Sequence, residues 1–299
     1  MPRENLASGV IVPMITPFNA GGTVDVEAAE RLTRHVIDGG AAPFVIGTTG
    51  ESASIPPTER SRLVDAVVRA AKGQVPVYAG ISSTTLAESQ QYAKEYFNLG
   101  IDAVVAHLPA YYPLSAEDLY RYFSELAESL TGPLILYNIT AVTHQSLPVQ
   151  VIERLSHHPK IIAIKDSERD QARFKESLDL WAGRKDFKFL VGWGAVMADS
   201  LIKGASGIVP STGNIVPDLY NRLYEAAIAG DQHKAEVLQN RTGKISEVYQ
   251  KGLSLGESLA ALKVILKSLN ICEPFMLPPL YRLSSEKEAQ ILQNFNRLD

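Results

Sequence analysis

Eight times along the first 230 residues, a short run of β-branched and small apolar residues is followed by a segment with apolar positions at helical spacing. The strands read as Gly9 to Pro17, Pro43 to Thr48, Val75 to Ile81, Asp102 to Leu108, Leu134 to Ile139, Ile161 to Ser167, Phe187 to Val191 and Ser206 to Pro210. The helices between and after them read as Asp25 to Asp38, Pro57 to Ala71, Thr85 to Leu99, Ala116 to Leu130, Pro148 to Ser156, Gln171 to Ala182, Val196 to Lys203 and Pro217 to Ala229. Gly39-Gly40 and Gly100 supply stop signals, and Leu63, Val64, Val67 and Val68 mark the buried stripe of the second helix. Parallel strands joined by helices either close into an eightfold barrel or stay open as a doubly wound sheet. The units are of similar length, no strand lacks its helix, and no G-x-G-x-x-G follows the first strand, so the expectation is an α/β chain folded as a (β/α)8 barrel.

After Gly230 the alternation stops. Residues Asp231 to Gly252, Ser258 to Asn270 and Ser284 to Leu298 read as three helices, with Glu273 to Pro279 and its three prolines as an irregular connection. The expected division is therefore a barrel over 1–230 and a three-helix appendage packed on it over 231–299. A net charge of −4 and the lack of a dense Lys/Arg cluster argue against a nucleic-acid partner and for a small molecule. The single Cys272 excludes an intramolecular disulfide framework and a cysteine metal site, which suits a reducing compartment. The six histidines have no metal-ligand spacing, and His157-His158 before Pro159 read as a solvated helix end. Met1 to Asn5 shows no signal-peptide pattern and no run reaches membrane-span length, so a cytoplasmic location is expected.

The sixth strand carries the chemistry. Ile161-Ile162-Ala163-Ile164-Lys165-Asp166-Ser167 reads as a strand buried on both faces that ends in a lysine, with alternation setting Ile161, Ala163 and Lys165 on one face. A lysine snorkelling to water would account for Lys165 by itself. An amine at the edge of an apolar interior also loses hydration, which disfavours its charged form and frees a nucleophile toward a carbonyl. Barrel chemistry sits at the carboxyl ends of the strands. That rule groups Lys165 with Gly47-Thr48-Thr49-Gly50-Glu51, Tyr137-Asn138 and Val209-Pro210-Ser211. Tyr137 lies at the depth of Lys165 on the adjacent strand, where a phenol can pass a proton to a carbinolamine oxygen. Gly47 and Gly50 allow close backbone approach, and Thr48 and Thr49 offer donors for a carboxylate. Gly-Thr-Thr-Gly by itself is compatible with an ordinary strand-to-loop turn.

Gly47-Thr48-Thr49-Gly50-Glu51, Tyr111-Tyr112, Leu136-Tyr137-Asn138 and Ile162-Ala163-Ile164-Lys165-Asp166 stand in the order found in the dihydrodipicolinate synthase and N-acetylneuraminate lyase family. The chain resembles that family over nearly its whole length, including Leu277-Pro278-Pro279-Leu280. The resemblance implies an imine between Lys165 and pyruvate or another 2-keto acid, with Tyr137 as proton relay and Thr48 and Thr49 holding the carboxylate and passing protons, Thr48 counted among the catalytic residues. It also implies that Tyr112 reaches across a subunit interface into the neighbouring site as a catalytic residue, so a homodimer or homotetramer is expected, and that Val209 lines the pocket. The imine is the electron sink, so no cofactor or metal is expected. Asp166 and Glu168 are expected to give electrostatic support or cap a helix.

Departures from the family pattern bear on substrate choice. Val142 stands where synthases of the family carry a carboxylate-binding arginine, Thr140 replaces a common proline and His144 a common glycine. Gly192-Trp193-Gly194-Ala195 lacks the acidic residues that sugar-acid lyases place there. The expected substrate-binding set is Thr48, Thr49, Gly50, Val142, His144, Gly192 and Val209, facing an acceptor with few hydroxyls. The function expected first is a Schiff-base lyase joining or cleaving pyruvate and an aldehyde, acting on a 2-keto acid such as a 2-keto-3-deoxy acid. The alternatives are 4-hydroxy-tetrahydrodipicolinate synthase, a keto-acid dehydratase or decarboxylase, and a barrel that binds keto acids without turnover.

Overall fold

The computed structural model describes residues 6–298; the start Met1 to Asn5, where no signal peptide was expected, lies outside the described residues. Eight parallel strands close on themselves in chain order: β1 Gly9–Pro13, β2 Ala42–Val45, β3 Tyr78–Gly80, β4 Ala103–His107, β5 Leu134–Asn138, β6 Ile161–Asp166, β7 Lys188–Val191 and β8 Gly207–Ile208, with β8 pairing back to β1. Helices α1 Val26–Asp38, α2 Pro57–Ala71, α3 Leu86–Leu99 and α4 Ala116–Ser129 follow the first four strands. A short α5 Thr140–Thr143 precedes α6 Val149–Leu155, and α7 Gln171–Trp181, α8 Met197–Ile202 and α9 Pro217–Ile228 complete the outer ring. Four of these starts have a side-chain cap. Asp25, Thr85 and Asp170 accept the backbone N–H three residues on, and Ser115 forms a capping box with Asp118.

Two apolar layers result. Ile11, Phe44, Tyr78, Val105, Ile135 and Leu190 fill the barrel interior, while a larger shell including Val12, Val45, Leu136 and Ile164 packs between strands and helices. The expected face of Ile161 is corrected here. Leu134 pairs with Ile161 and Ile135 with Ala163, so β6 carries one extra residue against β5. This bulge turns Ile161 outward into the helix-facing shell, and the partly buried Ile162 packs toward the interior with Ala163.

Three helices follow the barrel: α10 Gln232–Gln250, α11 Leu255–Ser268 and α12 Ser285–Asn296. The second starts at Leu255 and not at Ser258, because Ser254 and Glu257 form a capping box there. Its Lys263 side chain is fully buried and ion-paired with Glu51, which follows β2. Lys263 Nζ also donates to the Phe275 carbonyl at 2.7 Å and stands 4.3 Å from the Phe18 ring centroid. Burial pushes the Glu51 carboxyl up and the Lys263 amine down, and each partner's charge opposes the shift of the other. Among the described residues no helix is long and apolar enough to cross a membrane.

Candidate active site

Parallel pairing sets Tyr137 against Lys165 and Lys165 against Leu190 at the carboxyl ends of three adjacent strands. Lys165 is 5% exposed, its stem among the interior side chains and its Nζ 3.9 Å from the centroid of the Tyr137 ring and 5.1 Å from that of Phe44. The amine therefore meets the ring face, and the phenol oxygen is carried on that same ring. Above them opens a cavity of about 590 Å³. Thr48, Thr49, Tyr137, Lys165, Gly192 and Val209 all line it, joined by Thr140, Ser167, Arg169 and Ser211.

Several expected residues stand elsewhere. Gly50 does not line this cavity; it is buried in the turn, where a Cβ would come within 2.9 Å of the Met14 carbonyl and where its own carbonyl accepts from Thr16 Oγ1 at 2.7 Å. Glycine at 50 is thus a packing requirement. Val142 packs against the interior apolar cluster from α5, and His144 is exposed at φ 56° where α5 ends, so neither lines the cavity. Tyr112 is 71% exposed, its ring 4.9 Å and edge-on from that of Tyr111. Gly192 does line the cavity, and a Cβ there would collide with Ser167 Oγ, because the turn after β7 donates from Gly192 N to the Asp166 carbonyl at 2.7 Å.

Beneath the lysine's neighbours lies a polar network on the helix-facing side. Asp166 accepts from Arg173 Nε at 2.7 Å, from the Glu168 amide at 2.9 Å and from Asn138 Nδ2 at 3.2 Å. Glu168 accepts from Asn138 Nδ2 at 2.8 Å and Ser146 Oγ at 2.6 Å. Asn138 Oδ1 accepts from Leu147 N at 2.9 Å. Asp166 and Glu168 thus tie the ends of β5 and β6 to α7 and to the segment before α6. Burial raises the Asp166 carboxyl, against the pull of Arg173 and the other donors. His107, paired with Tyr137 on β4, has its ring 6.2 Å away and edge-on. Burial, with a smaller push from the Lys165 charge, lowers the His107 imidazole below its usual range.

The far wall of the cavity comes from beyond the barrel, which no local pattern in the sequence marked. Tyr249 and Gln250 at the end of α10, Leu253, and Leu255, Ser258 and Leu259 of α11 line it. Tyr249 is buried, its hydroxyl 2.8 Å from Ser211 Oγ and 2.9 Å from Thr212 Oγ1, and it accepts from Gln250 Nε2 at 2.8 Å. Burial raises this phenol, so it acts as a neutral strut between α10 and the turn after β8.

The arrangement has relatives. A protein-family model described as the dihydrodipicolinate synthetase family matches residues 6–297. A 4-hydroxy-tetrahydrodipicolinate synthase of Laribacter hongkongensis is 35% identical over 287 residues, 96% of this chain and 97% of the relative. The dihydrodipicolinate synthase of Bacteroides thetaiotaomicron superposes with a TM-score of 0.92 at 34% identity, covering 97% of this chain and 98% of that one. A prophage protein of the dihydrodipicolinic acid synthase family from E. coli K12, solved in complex with pyruvate, gives 0.91 at 26% identity over 98% and 99%. A match spanning all but the chain ends settles the assignment: the protein belongs to the dihydrodipicolinate synthetase family, enzymes that work through a lysine Schiff base.

Proposed function

We propose that the protein is a pyruvate-dependent aldolase in which Lys165 forms an imine with a 2-keto acid, and a carbon–carbon bond to an aldehyde is then made or broken. The observation carrying this reading is a nearly buried amine over the Tyr137 ring, open on one side to a large cavity. The Lys165 amine adds to C2 of the keto acid. The carbinolamine oxygen takes a proton by way of the Tyr137 hydroxyl and leaves as water. Thr48 and Thr49 hold the carboxylate, with Gly192 and Val209 as the pocket wall. The protonated imine draws electrons from C3, a C3 proton departs, and the resulting enamine attacks the aldehyde carbon, whose oxygen takes up a proton. Hydrolysis then returns the free lysine. Cleavage is the reverse sequence, and the imine is the electron sink in both directions.

We assign no substrate contact to Gly50 or His144, and Val142 acts by packing below the cavity wall. Tyr112 is assigned to an interface between copies of the chain, where a second subunit would cover its ring. One other reading has an observation behind it: the names of the Laribacter and Bacteroides relatives favour condensation of pyruvate with aspartate semialdehyde. Incubation with pyruvate and borohydride, read by intact mass, should give one covalent adduct per chain; an unmodified chain contradicts the proposal. Aspartate semialdehyde consumption measured beside pyruvate release from 4-hydroxy-2-keto acids then decides between synthase and lyase.

A further inference from the structure

Among the described residues, two cationic side chains line the main cavity, Lys165 at its floor and Arg169 on the loop between β6 and α7, and no acidic side chain lines it. Arg169 also lines a second cavity of about 300 Å³ reaching toward α10, which shares Gly192, Ser211 and Gln250 with the first. It therefore stands at the junction of the two. The acids beside it in sequence are committed elsewhere: Asp166 to Arg173, Glu168 to Asn138 and Ser146, and Asp170 to the amide of Arg173 at 2.7 Å as the cap of α7. Glu247, the acid on the second cavity, lies 3.5 Å from Lys251. Among the described residues Arg169 makes no ion pair.

We propose that Arg169 binds a second carboxylate at the end of the substrate remote from the imine, which makes the site selective for 2-keto acids with an acidic tail. The inference rests on the Lys165 reading above. The keto acid's own carboxylate meets Thr48 and Thr49, so the guanidinium is left for another anion, and its planar fork matches a carboxylate bidentately. A cavity of this size holds a molecule much longer than pyruvate. Arg169 is thus a specificity-determining residue and takes no part in the bond changes.

The test compares two six-carbon keto acids that differ only at the tail: 2-oxoadipate, ending in a carboxylate, and 2-oxohexanoate, ending in a methyl. Borohydride-trapped imine is measured by intact mass against keto-acid concentration for the wild-type protein, Arg169→Gln and Arg169→Lys, with pyruvate as reference. The expected result is half-maximal adduct at about 10- to 100-fold lower concentration for 2-oxoadipate in the wild type, the strength of a charge-assisted pair. Arg169→Gln abolishes that preference and Arg169→Lys keeps part of it, each variant's preference being read against its own pyruvate curve. A pyruvate adduct without preference for the diacid, or a preference that survives Arg169→Gln, overturns the proposal and leaves the Schiff-base reading standing. Absence of any pyruvate adduct in the wild type overturns that reading, and this one with it.

Discussion

Tyr137 and Lys165 meet because neighbouring parallel strands bring them into register, so a phenol and an amine share one face of the barrel mouth. Tyr137→Phe keeps the ring beneath the amine and removes only the hydroxyl. The expected outcome is a kcat lower by about 10²- to 10⁴-fold, the usual worth of a positioned proton carrier, with the pyruvate adduct still trappable on longer incubation. An unchanged kcat would show that the proton travels by another route. Lys165 and Tyr137 were legible in the sequence because each closes an apolar run at a strand end, where the barrel rule applies, and Thr48 and Thr49 because their Gly-Thr-Thr-Gly turn follows such a run. Arg169 was not: three residues past the end of β6, its access to the cavity depends on a loop path that no periodicity encodes. Glu51 was legible as part of a motif but not in its role, because its partner Lys263 lies over two hundred residues away.

At the level of elements, the pairing of Glu51 with Lys263 joins the turn bearing Thr48 and Thr49 to α11, whose Leu255, Ser258 and Leu259 line the cavity. Removing one member leaves an uncompensated buried charge. Lys263→Met is expected to lower unfolding free energy by about 3–5 kcal/mol, and adding Glu51→Gln to restore much of the loss. Denaturant unfolding reads both; a Lys263→Met protein with the wild-type midpoint would contradict the anchoring role. Strand and helix order was readable from periodicity, yet two local features were hidden. The bulge in β6 depends on what β5 offers opposite it, and a lone strand pattern cannot show that. The α5 segment Thr140-Ala141-Val142-Thr143 is rich in β-branched residues and reads as loop; its turn is held by Thr143 Oγ1 bonding back to the Ile139 carbonyl at 2.8 Å.

On the scale of the whole molecule, the barrel supplies the reacting groups and the helices after it supply the far wall, so the site is one property of the entire chain. The proposed covering of Tyr112 predicts sedimentation as a dimer or larger species, shifted toward single chains by Tyr111→Ser/Tyr112→Ser; an active single chain in the wild type would contradict it. The central claim concerns one nitrogen. Borohydride reduction in the presence of pyruvate, followed by proteolysis and peptide mass mapping, should place the added mass on Lys165 and leave Lys165→Ala unlabelled. Label on another lysine, or none on a folded wild-type chain, would contradict the account.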